Sequence, residues 1–217
     1  MSEKAPTTKK KHNRLKILGC VVAVVAALGV GFWVWHTTPG FCGTLCHDSM
    51  SEYLVSYDQA SDSEGVDKWG NAVADTDAML AVTHKAANLA CLDCHVPTLG
   101  QQVGEVVTQV SGNYEMPLDE VGVEELMKNS GNGTGMGDGF CLKSGCHDGT
   151  RSDLTALTAD LPFNPHDWHH DDIECSDCHK SHRASVLYCT ECHEEAAAVL
   201  PDGWVTYEAG MQIREAA

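Results

Sequence analysis

The stretch 164–193, NPHDWHHDDIECSDCHKSHRASVLYCTECH, contains two Cys-x-x-Cys-His motifs within nineteen residues. The first motif is Cys175–Cys178–His179, and the second is Cys189–Cys192–His193. Further histidines lie before or between them: His166, His169, His170 and His182. In such a motif the two thiols bond covalently to a porphyrin and the adjacent histidine binds its iron. The stretch therefore predicts attached c-type haem.

Three more cysteine pairs are each followed directly by histidine. One is regular (Cys91–Cys94–His95), and two have three or four intervening residues (Cys42–Cys46–His47 and Cys141–Cys146–His147). A lone Cys-x-x-Cys also fits half a zinc site or a redox pair. Repetition favours haem, because neither disulfides nor zinc sites require a histidine at that position each time. The sequence predicts five covalent haem c groups, numbered I to V by motif in chain order.

A six-coordinate haem iron needs a second ligand on its far face, and the remaining histidines are suited to that role. His182 follows His179 by three residues, on the same side of haem IV, so it is expected to serve a neighbouring haem. His170 is a spare candidate, and Met50 either binds haem I or packs against its porphyrin. The candidate distal ligands are His84, His166, His169, His182 and Met50.

An apolar run from Ile17 to Trp35 follows a basic segment, 1–16. Nineteen apolar residues are long enough to cross a bilayer as a helix. The preceding positive charge predicts a single-pass anchor with its N-terminus in the cytoplasm and the haem domain on the extracytoplasmic, periplasmic side. A cleaved signal peptide is the competing interpretation. It is disfavoured by the length of the run and by the lack of a small-residue cleavage site before Cys42.

The chain is acidic, with 31 Asp+Glu against 14 Lys+Arg and a formal net charge of −17. This charge argues against nucleic acid or an anionic membrane surface as a partner. A negative field favours low haem potentials and a partner with a positively charged docking patch. Simple solubility explains the same composition.

The predicted fold class is a multihaem cytochrome c with mainly short α-helices and loops around the haems, and little or no sheet. About 180 residues for five haems leave little polypeptide for anything else. Residues 101–114 are interpreted as a connector. The predicted regions are a cytoplasmic basic tail (1–16), a transmembrane anchor (17–36), a haem I and II region (37–128), a Gly-rich loop (129–139), a haem III–V cluster (140–195) and a C-terminal tail (196–217).

Two known families share motifs with the chain. FCGTLCHDSM at 41–50 and CLDCHVP at 91–97 resemble the membrane-anchored quinol dehydrogenases of the NapC/NirT type, which feed periplasmic nitrate and nitrite reductases. That resemblance implies that haem I meets the quinol and that Met50 is its axial ligand, although the cysteine spacing here is one residue longer.

NPH-x-x-H, C-x-x-C-H-K-x-H and C-x-x-C-H in the last cluster are similar to the haem domains of flavocytochrome fumarate reductases and of small tetrahaem cytochromes. This resemblance implies that His166, His169 and His182 are axial ligands.

The expected function is electron transfer in anaerobic respiration, from membrane quinol, menaquinol in particular, to an extracytoplasmic reductase. The chain would act as an electron-transfer subunit with quinol dehydrogenase activity. No G-x-G-x-x-G follows a strand pattern, so a flavin is expected on a separate flavoprotein. Asp48, Glu52 and Asp58 lie near motif I and are either proton acceptors or solvated surface. The alternatives are a self-contained multihaem reductase, a carrier fed by another membrane complex, and a non-redox metal module.

Overall fold

The structure, a computed structural model, describes residues 8–128, 138–143, 145–167 and 173–216. Its helices are α1 (Thr8–His36), α2 (Pro39–Leu45), α3 (His47–Tyr57), α4 (Leu80–Ala86), α5 (Cys91–Cys94), α6 (Leu99–Ser111), α7 (Val123–Lys128), α8 (Asp138–Cys141), α9 (Arg151–Leu157), α10 (Cys175–Cys178) and α11 (Tyr207–Glu215). Short 3₁₀ helices cover Thr76–Ala78, Tyr188–Glu191 and Glu194–Val199. The strands are β1 (Gly65–Val66), β2 (Ala72–Val73), β3 (Val186–Leu187) and β4 (Val205–Thr206). The predicted fold class is confirmed: short helices dominate and the sheet is minimal.

Helix α1 carries the apolar run. Its segment Asn13–His36 has a mean hydropathy of 2.5, and the rest of the protein does not bury it. Both properties are compatible with a single-pass membrane anchor. The C-terminal end of α1 packs against α2, where the Phe41 ring lies 5.1 Å from the Trp35 ring and 4.6 Å from the His36 ring, between centroids. This contact joins the apolar helix directly to the first cysteine motif.

Protein side chains build only a small core among the described residues. Its central cluster is Val73, Met79, Val82 and Ala184, with Val205 packed against it. Met79 and Val82 are almost completely shielded from solvent. These residues come from β2, from the start of α4 and from the loop that follows α10, so the core joins the two halves of the sequence.

Backbone hydrogen bonds attach the loop 180–185 to the segment 78–81. The amide of Leu80 donates to the Lys180 carbonyl and that of Ala81 to the Ser181 carbonyl, both at 2.9 Å. Ser185 is buried, and its hydroxyl donates to the Ala78 carbonyl at 2.6 Å. Because this loop contains His182, the pairing carries that histidine away from motif IV and toward the first half of the chain.

The C-terminal segment packs against the fold. Strand β4 pairs in parallel with β3, with Val186 opposite Val205, and α11 lies against this pair. Gly210 is buried, and a Cβ there would come within 2.7 Å of the Val186 side chain, so only glycine permits the close approach. The segment interpreted as a tail is therefore part of the folded body in the described residues.

Helix α6 lies where the sequence was interpreted as a connector. Its N-cap Thr98 and Gln101 form a reciprocal capping box, and Gly112 ends it in the left-handed conformation at φ 66°. The apolar side chains of α6 remain exposed, with Val110 83% accessible. The interpretation was wrong because β-branched residues lower helix propensity only slightly, whereas caps at both ends define this helix.

Candidate functional site

Each regular cysteine motif adopts a tight turn. The backbone amide of the motif histidine donates to the carbonyl of the first cysteine, at 2.8 Å for His95, 2.9 Å for His179 and 2.9 Å for His193. The stretched motif III closes in the same way, since the His147 amide donates to the Cys141 carbonyl at 3.2 Å. The longer spacing of motif III therefore does not prevent this hydrogen bond from forming.

Motif I is built differently. Cys42 lies within α2 and Cys46 follows its end, with the Cys46 amide donating to the Cys42 carbonyl at 3.0 Å. Met50 is half-buried in α3, and its amide donates to the Cys46 carbonyl at 2.9 Å. The side chain of His47 lies outside the described set, so the pairing of His47 with Met50 stays a prediction.

Thiols of consecutive cysteine motifs lie near one another. Burial and the neighbouring thiols of Cys91 and Cys46 raise the pKa of Cys42 to about 11. Motifs III and IV are in contact, since a hydrogen bond with the Cys141 thiol raises the pKa of Cys175.

The other consecutive motifs, II with III and IV with V, are also close to each other. Burial, Asp93 and the thiols of motif III, Cys141 and Cys146, raise the pKa of Cys94. Burial raises the pKa of Cys178 to about 11, and the nearby Cys189 thiol of motif V adds to the shift. The five motifs are thus spatial neighbours in chain order.

Three predicted distal histidines face three motif histidines. His182 lies opposite His95, with ring centroids 6.4 Å apart. His166 lies opposite His179 at 6.4 Å, and His84 lies opposite His147 at 6.1 Å. Each pair thus combines one motif histidine with one candidate distal ligand.

These separations suit an iron atom between the rings. Imidazole nitrogen binds metals at about 2 Å, so one metal bonded to two rings holds their centroids about 6 Å apart. Rotation of either ring about the common axis leaves that separation unchanged, which accommodates the interplanar angles of 7° for His166 with His179 and 63° for His84 with His147. The residues present therefore fit bis-histidine haem iron.

The environment of four of these rings, His95, His166, His179 and His182, lowers their pKa and so favours the neutral form, which is the form that binds a metal. Burial, together with the charges of His95 and Lys68, lowers the pKa of His182 to about 4. Burial also lowers the pKa of His95. Burial likewise lowers the pKa of His179 and His166.

A hydroxyl group orients two of the candidate ligands. The Ser56 hydroxyl lies 2.9 Å from Nδ1 of His182 and donates its proton to the Tyr53 carbonyl at 3.0 Å. Because the Ser56 hydroxyl donates its single proton to the Tyr53 carbonyl, its oxygen accepts from Nδ1–H of His182. The Nε2 atom of His182 then carries the free lone pair.

The Thr158 hydroxyl orients His166 in the same way, by accepting a hydrogen bond from Nδ1–H. Its hydroxyl lies 3.1 Å from Nδ1 of His166 and is also 2.9 Å from the Leu154 carbonyl and 2.5 Å from the Asn164 side-chain oxygen, neither of which can donate a proton. Sequence reasoning missed both hydroxyl residues. Ser56 carries no sequence signal, because it meets His182 only through the fold.

The other predicted residues are only partly described. His193 is exposed, with its ring centroid 6.3 Å from that of Phe163 and its Nδ1 3.7 Å from the Glu195 carboxylate. His169 and the spare His170 lie outside the described residues, as does most of the predicted Gly-rich loop. Their roles stay predictions.

Repeated Cys–His turns with opposed histidine pairs define the class of this protein as a multihaem c-type cytochrome. The chain belongs to the cytochrome c3 family, whose model matches residues 83–194. That range contains motifs II to V and begins after motif I, so the likeness of residues 41–50 to NapC/NirT-type proteins stays a prediction.

Two relatives match the chain. The chain is 49% identical to the cytochrome c-type protein Cgr1 of Eggerthella lenta over 217 residues, which cover 100% of this chain and 97% of that protein. It is 38% identical over 55 residues to the probable fumarate reductase Ifc3 of Shewanella frigidimarina, covering 20% of this chain and 9% of that protein. No solved structure matches the chain.

Proposed function

We propose that this protein is a membrane-anchored pentahaem cytochrome c that takes electrons from membrane quinol, menaquinol in particular, and passes them to an extracytoplasmic reductase in anaerobic respiration. The observation that carries the proposal is the set of three opposed histidine pairs, each with one motif histidine. Haem c bound in this way holds or releases one electron at its iron.

The ligand scheme follows from these pairs. His95 and His182 would serve motif II, His84 and His147 motif III, and His166 and His179 motif IV. This leaves His169 for His193 of motif V and Met50 for His47 of motif I. The cysteines of each motif would form the thioether bonds, and Ser56 and Thr158 would fix the tautomers of His182 and His166.

The membrane placement supports quinol as the donor. Motif I begins within α2, and α2 packs on the aromatic end of the apolar helix α1. A basic segment before that helix favours the orientation with the N-terminus in the cytoplasm. Motif I would then meet the head group of a lipid-soluble donor at the extracytoplasmic surface, and the succession of motifs leads away from it.

The acceptor is proposed to be a separate flavoprotein. The resemblance of the last cluster, 164–193, to the haem domains of flavocytochrome fumarate reductases motivates this choice of partner. The chain is strongly acidic, which suits a partner with a positively charged docking patch. A self-contained reductase is less well supported, because it needs an iron position open to substrate, whereas motifs II, III and IV each have a histidine pair.

The test compares two proteins in proteoliposomes: the full chain and a form that begins at Thr37. Reduced menaquinone analogue should reduce the full chain rapidly, and quinol-site inhibitors should block that reduction. The shortened form should be reduced by dithionite but only slowly by quinol. Equal quinol rates would contradict direct quinol oxidation at the membrane and favour a carrier fed by another membrane complex.

A further inference from the structure

A cleft of about 540 Å³ lies between α2 and α3, beside the end of the apolar helix. One wall is the start of α2, where Pro39 and Gly40 come only a few residues after His36, the last residue of α1. The opposite wall is formed by Leu54 and Val55 of α3. The volume lies within the range of small-molecule binding sites.

The cleft adjoins motif I without being its attachment site. Gly40 and Gly43 line it, whereas Cys42 and Cys46 do not. Gly43 lets the two helices approach closely, since a Cβ there would lie 3.2 Å from a Leu54 methyl group. A molecule in the cleft would therefore lie next to the residues of motif I.

One end of the cleft is polar. The ammonium group of Lys85 lies 2.5 Å from a carboxylate oxygen of Asp58, and the Asp58 side chain is 77% exposed. Tyr57 lies beside this pair, with the Lys85 ammonium 5.7 Å from its ring centroid and its hydroxyl donating to the Leu89 carbonyl at 2.9 Å. The cleft thus offers a donor and an acceptor at one end and apolar walls elsewhere.

We propose that this cleft binds the quinol head group, with Lys85 donating to a quinol oxygen and Asp58 accepting its proton. The assignment rests on the proposed function. A quinol has an aromatic ring, two hydroxyl groups and an apolar tail, which match the walls, the polar end and the adjacent apolar helix. Lys85 supplies the hydrogen-bond donor of the cleft, so no basic residue of α1 is needed to bind the quinol oxygen.

Oxidation of one quinol releases two electrons and two protons. Two electrons would leave the quinol one at a time for the covalent haem c of the proposed function. The hydroxyl group at the polar end gives its proton to the Asp58 carboxylate, which releases it to water from its exposed face. The second hydroxyl group, on the opposite side of the ring, gives its proton directly to water. The product is the quinone. Lys85 donates a hydrogen bond to the oxygen at the polar end of the cleft.

The test uses the full chain in lipid nanodiscs and two readouts. One is fluorescence titration with a hydroxyquinoline N-oxide, a quinol-site inhibitor whose binding is measured without electron transfer. The other is the rate of haem reduction by reduced menaquinone analogue. Every variant is first checked for wild-type haem content and for the wild-type spectrum after dithionite.

Three variants separate the roles of the cleft residues. Lys85→Met should weaken inhibitor binding about tenfold or more, because it removes a charged hydrogen-bond donor. Asp58→Asn should lower the quinol rate at least about tenfold while changing inhibitor binding by less than about threefold. Val55→Trp, at a position 52% exposed, should reduce both by filling the cleft.

The matched controls are Asp119→Asn and Arg214→Gln, which break another exposed ion pair, 2.8 Å long, in a different part of the protein. Both controls should behave like the wild type in the two readouts. If quinol reduces the wild type but Lys85→Met and Val55→Trp bind inhibitor normally, the cleft assignment is overturned and the proposed function stands. If quinol fails to reduce the wild type, the proposed function fails, and this assignment with it.

Discussion

The imidazole rings of His95 and His182 face each other at a centroid distance of 6.4 Å and an interplanar angle of 22°. His95 belongs to motif II, whereas His182 comes three residues after the histidine of motif IV. Hydrogen bonds from 78–81 to the loop 180–185 fix this position. A ligand supplied from a distant motif would link the two halves of the fold through a shared iron.

Replacing His182 with alanine should convert one haem iron from low-spin to partly high-spin, because it removes one of two axial nitrogens. His166→Ala should do the same to a different iron, since its ring faces His179 instead. The double variant should therefore show twice the high-spin signal of either single variant. Electron paramagnetic resonance and magnetic circular dichroism measure this signal.

His36→Ala is the matched control, because His36 lies at the end of the apolar helix and packs on Phe41. Its spectrum should stay low-spin. All variants should keep the wild-type haem mass. Loss of covalent haem from Cys175 and Cys178 in His182→Ala, with the spectrum of the other haems unchanged, would refute the ligand scheme.

Ser56→Ala should raise the reduction potential of one haem by an amount on the order of tens of millivolts. The hydroxyl accepts from Nδ1–H of His182, and a hydrogen bond of this kind makes the ligand more basic and stabilises ferric iron. A net hydrogen-bond energy of about 1 kcal/mol corresponds to such a shift in a one-electron couple. Spectroscopic redox titration checks the value.

Ser63→Ala is a suitable comparison, because the Ser63 hydroxyl donates to the Ala60 carbonyl on the surface. Its potentials should match those of the wild type. Unchanged potentials in Ser56→Ala would contradict the assigned role of that hydroxyl. The contact between Ser56 and His182 would then contribute only to packing.

The mature protein should carry five haem increments by mass spectrometry of the denatured chain, after expression in a host with haem-maturation machinery. Motif III supports the count, because its turn closes despite four intervening residues. Cys20→Ser should also carry five, since Cys20 is exposed on α1 and outside every motif. A mass corresponding to three haems would show that motifs I and III are not used.

Local patterns made the motifs, the apolar helix and the helix-rich class predictable from sequence. The expectation that His182 serves a haem other than haem IV also required only its distance from His179 along the chain. The partner of His182 was not predictable, because it depends on the pairing of 180–185 with 78–81, which no local pattern encodes. Ser56 escaped notice for the same reason.

The C-terminal segment shows another limit of sequence reasoning. Residues 196–217 were interpreted as a tail, yet β4 pairs in parallel with β3. Such a two-residue ladder gains its stability from tertiary packing, here against α11, rather than from strand propensity.

A buried ion pair fastens residue 120 to the loop that carries His182. Arg183 is only 4% exposed and donates to both oxygens of the Glu120 carboxylate, at 2.6 and 2.8 Å. Lys180 lies 3.5 Å from the same carboxylate. Burial alone would raise the pKa of Glu120, but the hydrogen bonds from Arg183 and the charge of Lys180 outweigh it, so the pKa is lowered.

Arg183→Met should destabilise the protein by about 3 kcal/mol at neutral pH, because it leaves a buried carboxylate without its main partner. Arg214→Gln, which breaks an exposed pair, should cost less than about 1 kcal/mol.

The stabilisation by the Arg183–Glu120 pair should depend on pH. Because the folded pKa of Glu120 is depressed in the wild type, this stabilisation is present above the usual glutamate pKa of about 4.3 and is lost as the pH falls below it. The difference between wild type and Arg183→Met should therefore be largest near pH 7 and shrink below about pH 4. Urea unfolding of the detergent-solubilised full chain at several pH values measures it, and a difference that stayed constant with pH would contradict the role of Glu120.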